Sequence, residues 1–174
     1  RVGRQVVIEH QGGIVVHGQV LRGRNHITGE WGHTPLPWPT DDELPGPLCW
    51  CGHHNCLETL IAGPALARDC DGPDAHDASG LPARAAAGDP RATAALARHA
   101  DRLARGFAVI VNILDPVLIV LGGGLSNMNH LYDQRPKRMH PHVFSDFVQT
   151  PIVKNHHGDS SGVRGAAWLW PAPR

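Results

Sequence analysis

The sequence has no excess of either charge and no long apolar run. Its 174 residues hold 16 Lys and Arg against 16 Asp and Glu, so the formal net charge is zero. Nucleic-acid binding by bulk electrostatics and binding to a membrane surface both rely on excess positive charge, so neither is expected. No stretch reaches the roughly 18 uninterrupted apolar residues of a membrane span. The first residues also lack the pattern of a secretory leader, which favours a cytoplasmic protein.

Aromatic residues are scarce at 5 %, whereas hydrophobic residues make up 41 % and charged residues 18 %. This balance is ordinary for a globular core and excludes disorder over most of the chain. The length suits one domain. Because the first residue is Arg1 rather than Met, we expect the sequence to be a fragment of a longer protein.

The order of the periodic segments predicts an α/β fold with a parallel or mixed sheet. Strands are expected at 5–8 and 14–21, joined by a hairpin turn at Gly12–Gly13, and the second strand is expected to have a bulge or turn at Gly18. Five consecutive apolar residues at 117–121 predict a strand buried on both faces, and a short strand is expected at 151–153.

Helical periodicity is strongest at 90–114, which begins with an N-cap Asp followed by Pro. A helix at 57–69 is expected to be interrupted near Gly63–Pro64, and one at 128–142 to be broken by its prolines. A Gly-rich turn leading into a small-residue helix is predicted at 158–170. Two segments are predicted to be connections without regular structure: 22–57 and 73–89.

Three cysteines lie close together in the segment CWCGHHNC, at Cys49, Cys51 and Cys56. Two cysteines separated by one residue are cramped for a disulfide, and clustered cysteines in a chain without signs of secretion more often bind metal. Three thiolates and one imidazole complete a tetrahedral zinc site. The alternative is a set of reduced structural thiols without metal. Cys70 is expected to be a free thiol.

The fourth zinc ligand has three candidates. His53 and His54 lie inside the cysteine loop, where the geometry is poor, so His33 is favoured. Gly52 and Asn55 suit the tight backbone turns that aim the sulfurs inward. Four protein ligands leave no open coordination position, which predicts a structural rather than a catalytic metal.

Two carboxylates and a glycine turn are further candidates for binding. Glu30 precedes His33 by three residues, and Glu58 follows Cys56 by two. Carboxylates accept hydrogen bonds from sugar hydroxyls, although surface carboxylates are the alternative on composition alone. The glycines at 122–124 follow the buried strand, where backbone N–H groups are able to bind a nucleotide. The alternative is an ordinary turn, since Gly-rich turns between a strand and a helix are common.

The segment GEWGHTPLPWPTDDELPGPLCWCGHHNCLETLIAGPAL resembles the signature of the ROK family (repressors, open reading frames and sugar kinases). Its start, GEWGHTPLPW, is most similar to bacterial fructokinases of that family. The resemblance continues through VNILDPVLIVLGGGLSN and HGDSSGVRGAAWLW, so it covers about residues 12–170. It implies an actin-like, ribonuclease-H-like ATPase fold. Residues 1–174 would be a C-terminal kinase domain, incomplete at its N-terminus, with a zinc- and sugar-binding loop inserted at 29–62.

The resemblance also implies ATP-dependent phosphorylation of a hexose, with D-fructose giving fructose 6-phosphate as the favoured reaction. The expected cofactors are ATP, Mg²⁺ and structural Zn²⁺, and the expected assembly is a homodimer that binds neither nucleic acid nor membrane. The residues that it implicates are Glu30, His33 and Glu58 for sugar hydroxyls, Gly122, Gly123 and Gly124 for the nucleotide, and His33, Cys49, Cys51 and Cys56 for zinc.

Two motifs of the family do not occur in the sequence. They are the phosphate-binding turn D-x-G-x-T and the N-D-A segment whose Asp is the general base, so no catalytic residue is assigned here. At 7–13 the stretch VIEHQGG departs from the family's G-T-G-x-G-x-G, and Glu9 adds a charge of the wrong sign for phosphate. We therefore expect little activity from this fragment. The alternatives are a non-catalytic zinc-binding remnant and the sugar-sensing body of a repressor, for which no helix-turn-helix is visible.

Overall fold

The computed structural model describes residues 5–8, 12–133 and 135–158. Within these residues one mixed sheet has the strand order β3-β2-β1-β4-β5. The first three strands are antiparallel neighbours, and β4 runs parallel to both β1 and β5. The strands are β1 (Gln5–Ile8), β2 (Gly12–Val16), β3 (Gln19–Val20), β4 (Leu118–Leu121) and β5 (Ile152–Lys154). The predicted α/β class with a mixed sheet is confirmed.

The predicted turn at Gly12–Gly13 is wrong, because both glycines lie within β2 and pair with β1. The connection 9–11 lies outside the described residues. A tight turn does occur between β2 and β3, where Val16 pairs with Gln19. His17 and Gly18 have φ values of 53° and 76°. Two consecutive positive φ angles are what a two-residue type I′ hairpin requires.

Six helices lie within the described residues. They are α1 (Glu58–Ile61), α2 (Gly63–Asp71), α3 (Leu81–Ala86), α4 (Pro90–Leu114), α5 (His130–Asp133) and α6 (Arg135–Met139). The predicted bounds of α4 are confirmed, and the Asp89 carboxylate accepts hydrogen bonds from the N–H groups of Arg91 and Ala92. None of the described helices combines the length and apolar character that a membrane crossing requires.

The remaining helix predictions are met in part. The break at Gly63–Pro64 is confirmed, since α1 ends just before it, and 128–142 is divided into α5, α6 and a 3₁₀ turn. The connection predicted at 73–89 is wrong, because it contains α3. Arg84 on α3 forms ion pairs with Asp71 and Asp89, at 2.6 and 2.7 Å. Such tertiary contacts stabilise a helix that is too short to be recognised from its periodicity. Of the predicted 158–170 element, only residue 158 is among the described residues.

The core forms around α4, with Phe107 fully buried at its centre. In β4, Ile119 and Leu121 join this core, whereas Leu118 and Val120 are half-buried. Within the described part of the chain the strand is therefore buried fully on one face, not on both as the apolar run predicts. A continuous apolar run does not by itself tell whether one or both faces of a strand are covered.

The long segment 22–57 contains no regular structure beyond short bridges and two 3₁₀ turns, Trp31–His33 and Asp41–Glu43. Two sets of side-chain contacts hold this segment against α4. The Trp31 ring packs on Phe107 with ring centroids 5.5 Å apart. A Cβ at Gly106 would come within 2.8 Å of this ring, which explains a glycine inside a helix, where it costs about 1 kcal/mol relative to Ala.

The second anchor is a buried ion pair. The Glu43 carboxylate accepts hydrogen bonds from Arg105 at 2.8 Å and from Arg102 at 3.0 Å. Its side chain is 8 % exposed and that of Arg105 is 5 % exposed. Burial raises the pKa of the Glu43 carboxyl, but hydrogen bonds from Arg105, the Thr40 N–H and Arg102 outweigh it and lower the pKa from 4.5 to about 2. The carboxylate form therefore stabilises the fold.

We predict that Glu43→Gln lowers the free energy of unfolding at pH 7 by about 3 kcal/mol, because it leaves the buried Arg105 guanidinium with the exposed Asp101 carboxylate as its counter-charge. Since the folded pKa is depressed, the contribution of Glu43 is fully present above pH 4.5 and is lost as the pH falls towards about 2. The difference between wild type and variant should accordingly shrink over that interval. Urea unfolding at several pH values measures it.

Asp42→Asn is the matched control, since it removes a neighbouring exposed carboxylate from the same 3₁₀ turn. It should change the free energy of unfolding by less than about 1 kcal/mol. Equal effects of the two substitutions would contradict the buried ion pair as an anchor of the loop.

Candidate functional site

Four side chains with metal-ligand atoms meet in the segment 22–57. The ligand atoms of His33, Cys49, Cys51 and Cys56 all lie within 4.8 Å of one another. The His33 Nδ1 is 3.6 Å from the Cys49 Sγ, and the Cys51 Sγ is 3.6 Å from the Cys56 Sγ. A tetrahedron with Zn–S near 2.3 Å and Zn–N near 2.0 Å has edges of about 3.5–3.8 Å. The two 3.6 Å distances match these edges, and three thiols with one imidazole are a donor set that suits zinc.

Backbone hydrogen bonds shape the cysteine loop. The Cys49 N–H donates to the His53 carbonyl and the Gly52 N–H to the Cys49 carbonyl, which closes a tight turn. Gly52 and Asn55 have φ values of 88° and 63°, as their residue types predict. Bonds between 34–36 and 55–57 then place the loop against the His33 segment. The local sequence thus aims the sulfurs towards one point.

The two other histidine candidates are placed differently. The His54 Nδ1 lies 3.0 Å from the Gly46 carbonyl oxygen, so that ring nitrogen is already engaged. The His53 Nδ1 lies 3.6 Å from the Cys51 Sγ, but His53 is not one of the four mutually close groups. Cys70 is buried and free in the described structure, where the Arg84 guanidinium is 3.8 Å from its sulfur.

The thiols of the cluster differ in acidity. A hydrogen bond from the His53 N–H lowers the pKa of Cys51 to about 6. Burial, reinforced by the Cys51 and Cys49 sulfurs, raises the pKa of Cys56 to about 12. Negative charge at one sulfur thus opposes ionisation of its neighbour. A divalent cation between the sulfurs would remove that opposition, which is a further reason why this donor set suits a metal.

His33 connects the cluster to Glu58. While its Nδ1 faces the sulfurs, its Nε2 lies 3.2 Å from the Glu58 carboxylate at the start of α1. Trp50 contacts the same ring edge-on, with centroids 4.9 Å apart. Metal-ligating histidines commonly donate their second N–H to a carboxylate, which fixes the ring. The family resemblance implicates His33 in binding a sugar hydroxyl, and in the described structure its second ring nitrogen faces Glu58.

A cavity of about 820 Å³ lies beside this contact. Glu58 and Trp31 line it together with Gly122, Gly123 and Gly124, so candidate sugar and nucleotide residues from distant parts of the chain share one cavity. Its volume is within the range of about 300–1,000 Å³ typical of ligand pockets. The cavity is large enough for two small ligands side by side.

Glu30 lies elsewhere. It lines a second cavity of about 310 Å³, between β2 and the C-terminal half of α4. Trp31 lines both cavities. Of the three residues implicated in sugar binding, the structure thus brings His33 and Glu58 together and places Glu30 at the neighbouring cavity.

Sequence reasoning missed one wall of the large cavity. Residues 76–79, which were assigned to a connection, line it next to α3. The Ser79 N–H and hydroxyl donate to the Asp77 carboxylate at 2.8 and 2.9 Å, which lowers the pKa of Asp77. The sequence does contain a pattern that could have predicted this turn. It is D-x-S just before an Ala-rich segment, which is typical of a turn that leads into a helix.

The protein-family model described as the ROK family matches residues 11–172. An N-acetyl-D-glucosamine kinase of Yersinia pseudotuberculosis serotype O:1b (strain IP 31758) is 41 % identical over 168 residues, which cover 91 % of this chain and 54 % of that protein. The ROK hexokinase from Thermus thermophilus is 31 % identical with a TM-score of 0.73, over 95 % of this chain and 56 % of that one.

A ROK family glucokinase from Streptomyces griseus, solved with glucose and AMPPNP, has a TM-score of 0.78 at 24 % identity. The superposition covers 97 % of this chain and 60 % of that one, and at this identity it shows the fold alone. The chain spans about half the length of the curated relatives it matches.

These comparisons confirm the resemblance to ROK proteins and the α/β fold shared with the kinases among them. They do not support the narrower resemblance to fructokinases, because curated relatives that are 37–41 % identical to this chain are named N-acetyl-D-glucosamine kinases. The family match extends over nearly the whole sequence, including the cysteine cluster and the glycine turn. The chain belongs to the ROK family.

Proposed function

We propose that this chain forms the part of an ATP-dependent sugar kinase that binds N-acetyl-D-glucosamine and the nucleotide. The observation that carries the proposal is the 820 Å³ cavity, which is lined by both Glu58 and the glycine turn. A kinase needs its two substrates in adjoining sites, because phosphoryl transfer depends mainly on positioning and charge stabilisation. The choice of sugar follows the names of the curated relatives.

In this proposal Glu58 binds the sugar. Its carboxylate lies at the cavity wall and accepts hydrogen bonds from sugar hydroxyls. The His33 Nε2–H, 3.2 Å from one carboxylate oxygen, fixes the orientation of the group. Glu30 lines the neighbouring cavity. It would contact the sugar if the bound sugar extended past Trp31 into that cavity.

Zinc at the cysteine cluster would be held by His33, Cys49, Cys51 and Cys56 within the 29–62 loop. With four protein ligands it would supply cross-linking of the loop and no chemistry at the sugar. His33 then transmits the rigidity of the cluster to Glu58 through its second ring nitrogen. The actin-like kinase fold with an inserted zinc loop is proposed on the same grounds.

The glycine turn would bind ATP. The phosphate oxygens of ATP would coordinate Mg²⁺. The turn at Gly122–Gly124 follows β4 and presents backbone to the cavity. The transfer would be an in-line displacement at the γ-phosphorus of ATP, in which the sugar 6-hydroxyl oxygen forms the new P–O bond, the bond to the β-phosphate oxygen breaks, ADP leaves and the hydroxyl proton is released. We assign no general base among the described residues, so a chain that binds both ligands without transfer is the second candidate function. The homodimer stays a prediction.

We predict that the purified chain carries one zinc per chain and that Cys51→Ala abolishes it, because three remaining donors bind zinc far more weakly than four. The variant should also unfold at a lower temperature, since loop closure by the metal is lost. Metal content by mass spectrometry and thermal unfolding measure both effects. Cys70→Ala, which removes the cysteine outside the cluster, should leave zinc unchanged. Full zinc occupancy in Cys51→Ala would contradict the ligand assignment.

We further predict that Glu58→Gln weakens N-acetyl-D-glucosamine binding at least about tenfold, because hydrogen bonds to a charged acceptor contribute about 1.5–3 kcal/mol each. Zinc content should stay unchanged. Isothermal titration calorimetry with the sugar measures the affinity, and Asp42→Asn is the control for the loss of one negative charge on the same loop.

A radiometric assay with ATP tests the reaction itself, with N-acetyl-D-glucosamine and fructose as acceptors. Transfer to N-acetyl-D-glucosamine in preference to fructose is expected of the intact kinase. Sugar binding without transfer by this chain would favour the second candidate. Unaltered sugar affinity in Glu58→Gln would refute the role given to that carboxylate.

A further inference from the structure

A set of side-chain hydrogen bonds holds the glycine turn in place. The Ser126 hydroxyl, which is almost fully buried, donates to the Gly123 carbonyl at 2.6 Å. The Asn155 Nδ2 donates to the same Ser126 oxygen at 3.1 Å and to the Leu121 carbonyl at 3.0 Å. The Tyr132 hydroxyl donates to the Ser126 carbonyl at 2.7 Å. The glycine turn, α5 and the residue after β5 thus all form hydrogen bonds with one serine.

Asn155 occupies a particular place in this arrangement. It follows β5 directly, and its backbone N–H also donates to the Leu121 carbonyl at the end of β4. Asn155 does not line the large cavity, whereas Ser126 and the glycines do. Any effect of Asn155 on a ligand in that cavity would therefore pass through Ser126 and the turn.

The turn needs such support for a physical reason. Gly123 has a φ of 72°, and consecutive glycines have the largest conformational freedom of any backbone segment. A ligand that had to order this segment on binding would lose affinity by the entropy of ordering. A turn that is already held by Ser126 avoids that loss.

We propose that Asn155 is a positioning residue for the nucleotide. Through the Ser126 hydroxyl it fixes Gly123, and so it orders the turn that receives ATP before the nucleotide binds. This inference rests on the proposed function of the glycine turn. It assigns to Asn155 and Ser126 a role in nucleotide affinity that is separate from sugar binding at Glu58 and from the zinc cluster.

The same chain offers a matched control. The Thr150 hydroxyl, just before β5, donates to the Pro116 carbonyl, just before β4, at 3.3 Å. This bond joins the other ends of the two strands that Asn155 joins next to the turn. A contribution to strand pairing alone would be shared by Thr150 and Asn155, whereas positioning of the turn belongs to Asn155.

The test is calorimetric titration of the full chain with Mg·ADP and, separately, with N-acetyl-D-glucosamine. Asn155→Ala and Ser126→Ala should weaken ADP binding about tenfold, as expected when a buried hydrogen bond is lost and the turn is loosened. Both should leave sugar affinity unchanged. Thr150→Val should alter neither affinity. Ser126→Ala keeps the bonds between Asn155 and Leu121, so it provides a folded variant even if Asn155→Ala unfolds.

NMR spectra of the backbone amides in the same variants supply an independent readout. The N–H resonances of the glycine turn should broaden or shift in Ser126→Ala without ligand and stay in place in Thr150→Val. Wild-type ADP affinity in Ser126→Ala would overturn the proposal, and so would equal losses of ADP and sugar affinity. A wild-type chain that binds sugar but no ADP would instead refute the nucleotide site, and this proposal with it.

Discussion

The 3.2 Å contact between His33 and Glu58 joins the cysteine cluster to the cavity of about 820 Å³. One nitrogen of the ring faces the Cys49 sulfur and the other faces the Glu58 carboxylate, which lines the cavity. Glu58 begins the short helix α1, and the segment that carries His33 towards it has no regular structure, so its backbone is costly to order. In our proposal the cluster orders that segment, and zinc would complete the support.

The two sides of the cavity are ordered in different ways. On the side proposed for the sugar, the buried pair of Glu43 and Arg105 and the packing of Trp31 on α4 hold the loop, which also carries the candidate metal ligands. On the side proposed for the nucleotide, neutral hydrogen bonds from Ser126 and its partners hold a short glycine turn. An ion pair and ring packing thus stabilise the long loop, whereas neutral hydrogen bonds hold the short turn.

Much of this arrangement could be predicted from local sequence. Asp89 and Pro90 mark the start of α4 because capping is a local interaction, and the spacing of the cysteines restricts the cluster because three ligands lie within eight residues. The helix α3 could not be predicted, since it depends on ion pairs with residues outside it. The separation of Glu30 from Glu58 could not be predicted from the sequence either. It depends on Trp31, which lines both cavities and is placed between them by its packing on α4.

A crystal structure of the chain with N-acetyl-D-glucosamine would show whether the cysteine cluster positions the sugar through His33 and Glu58. We expect the sugar in the larger cavity, with a hydroxyl oxygen within about 3 Å of the Glu58 carboxylate and the His33 contact retained. A sugar bound in the smaller cavity at Glu30, with Glu58 free of it, would contradict the claim that the cluster positions the sugar through His33.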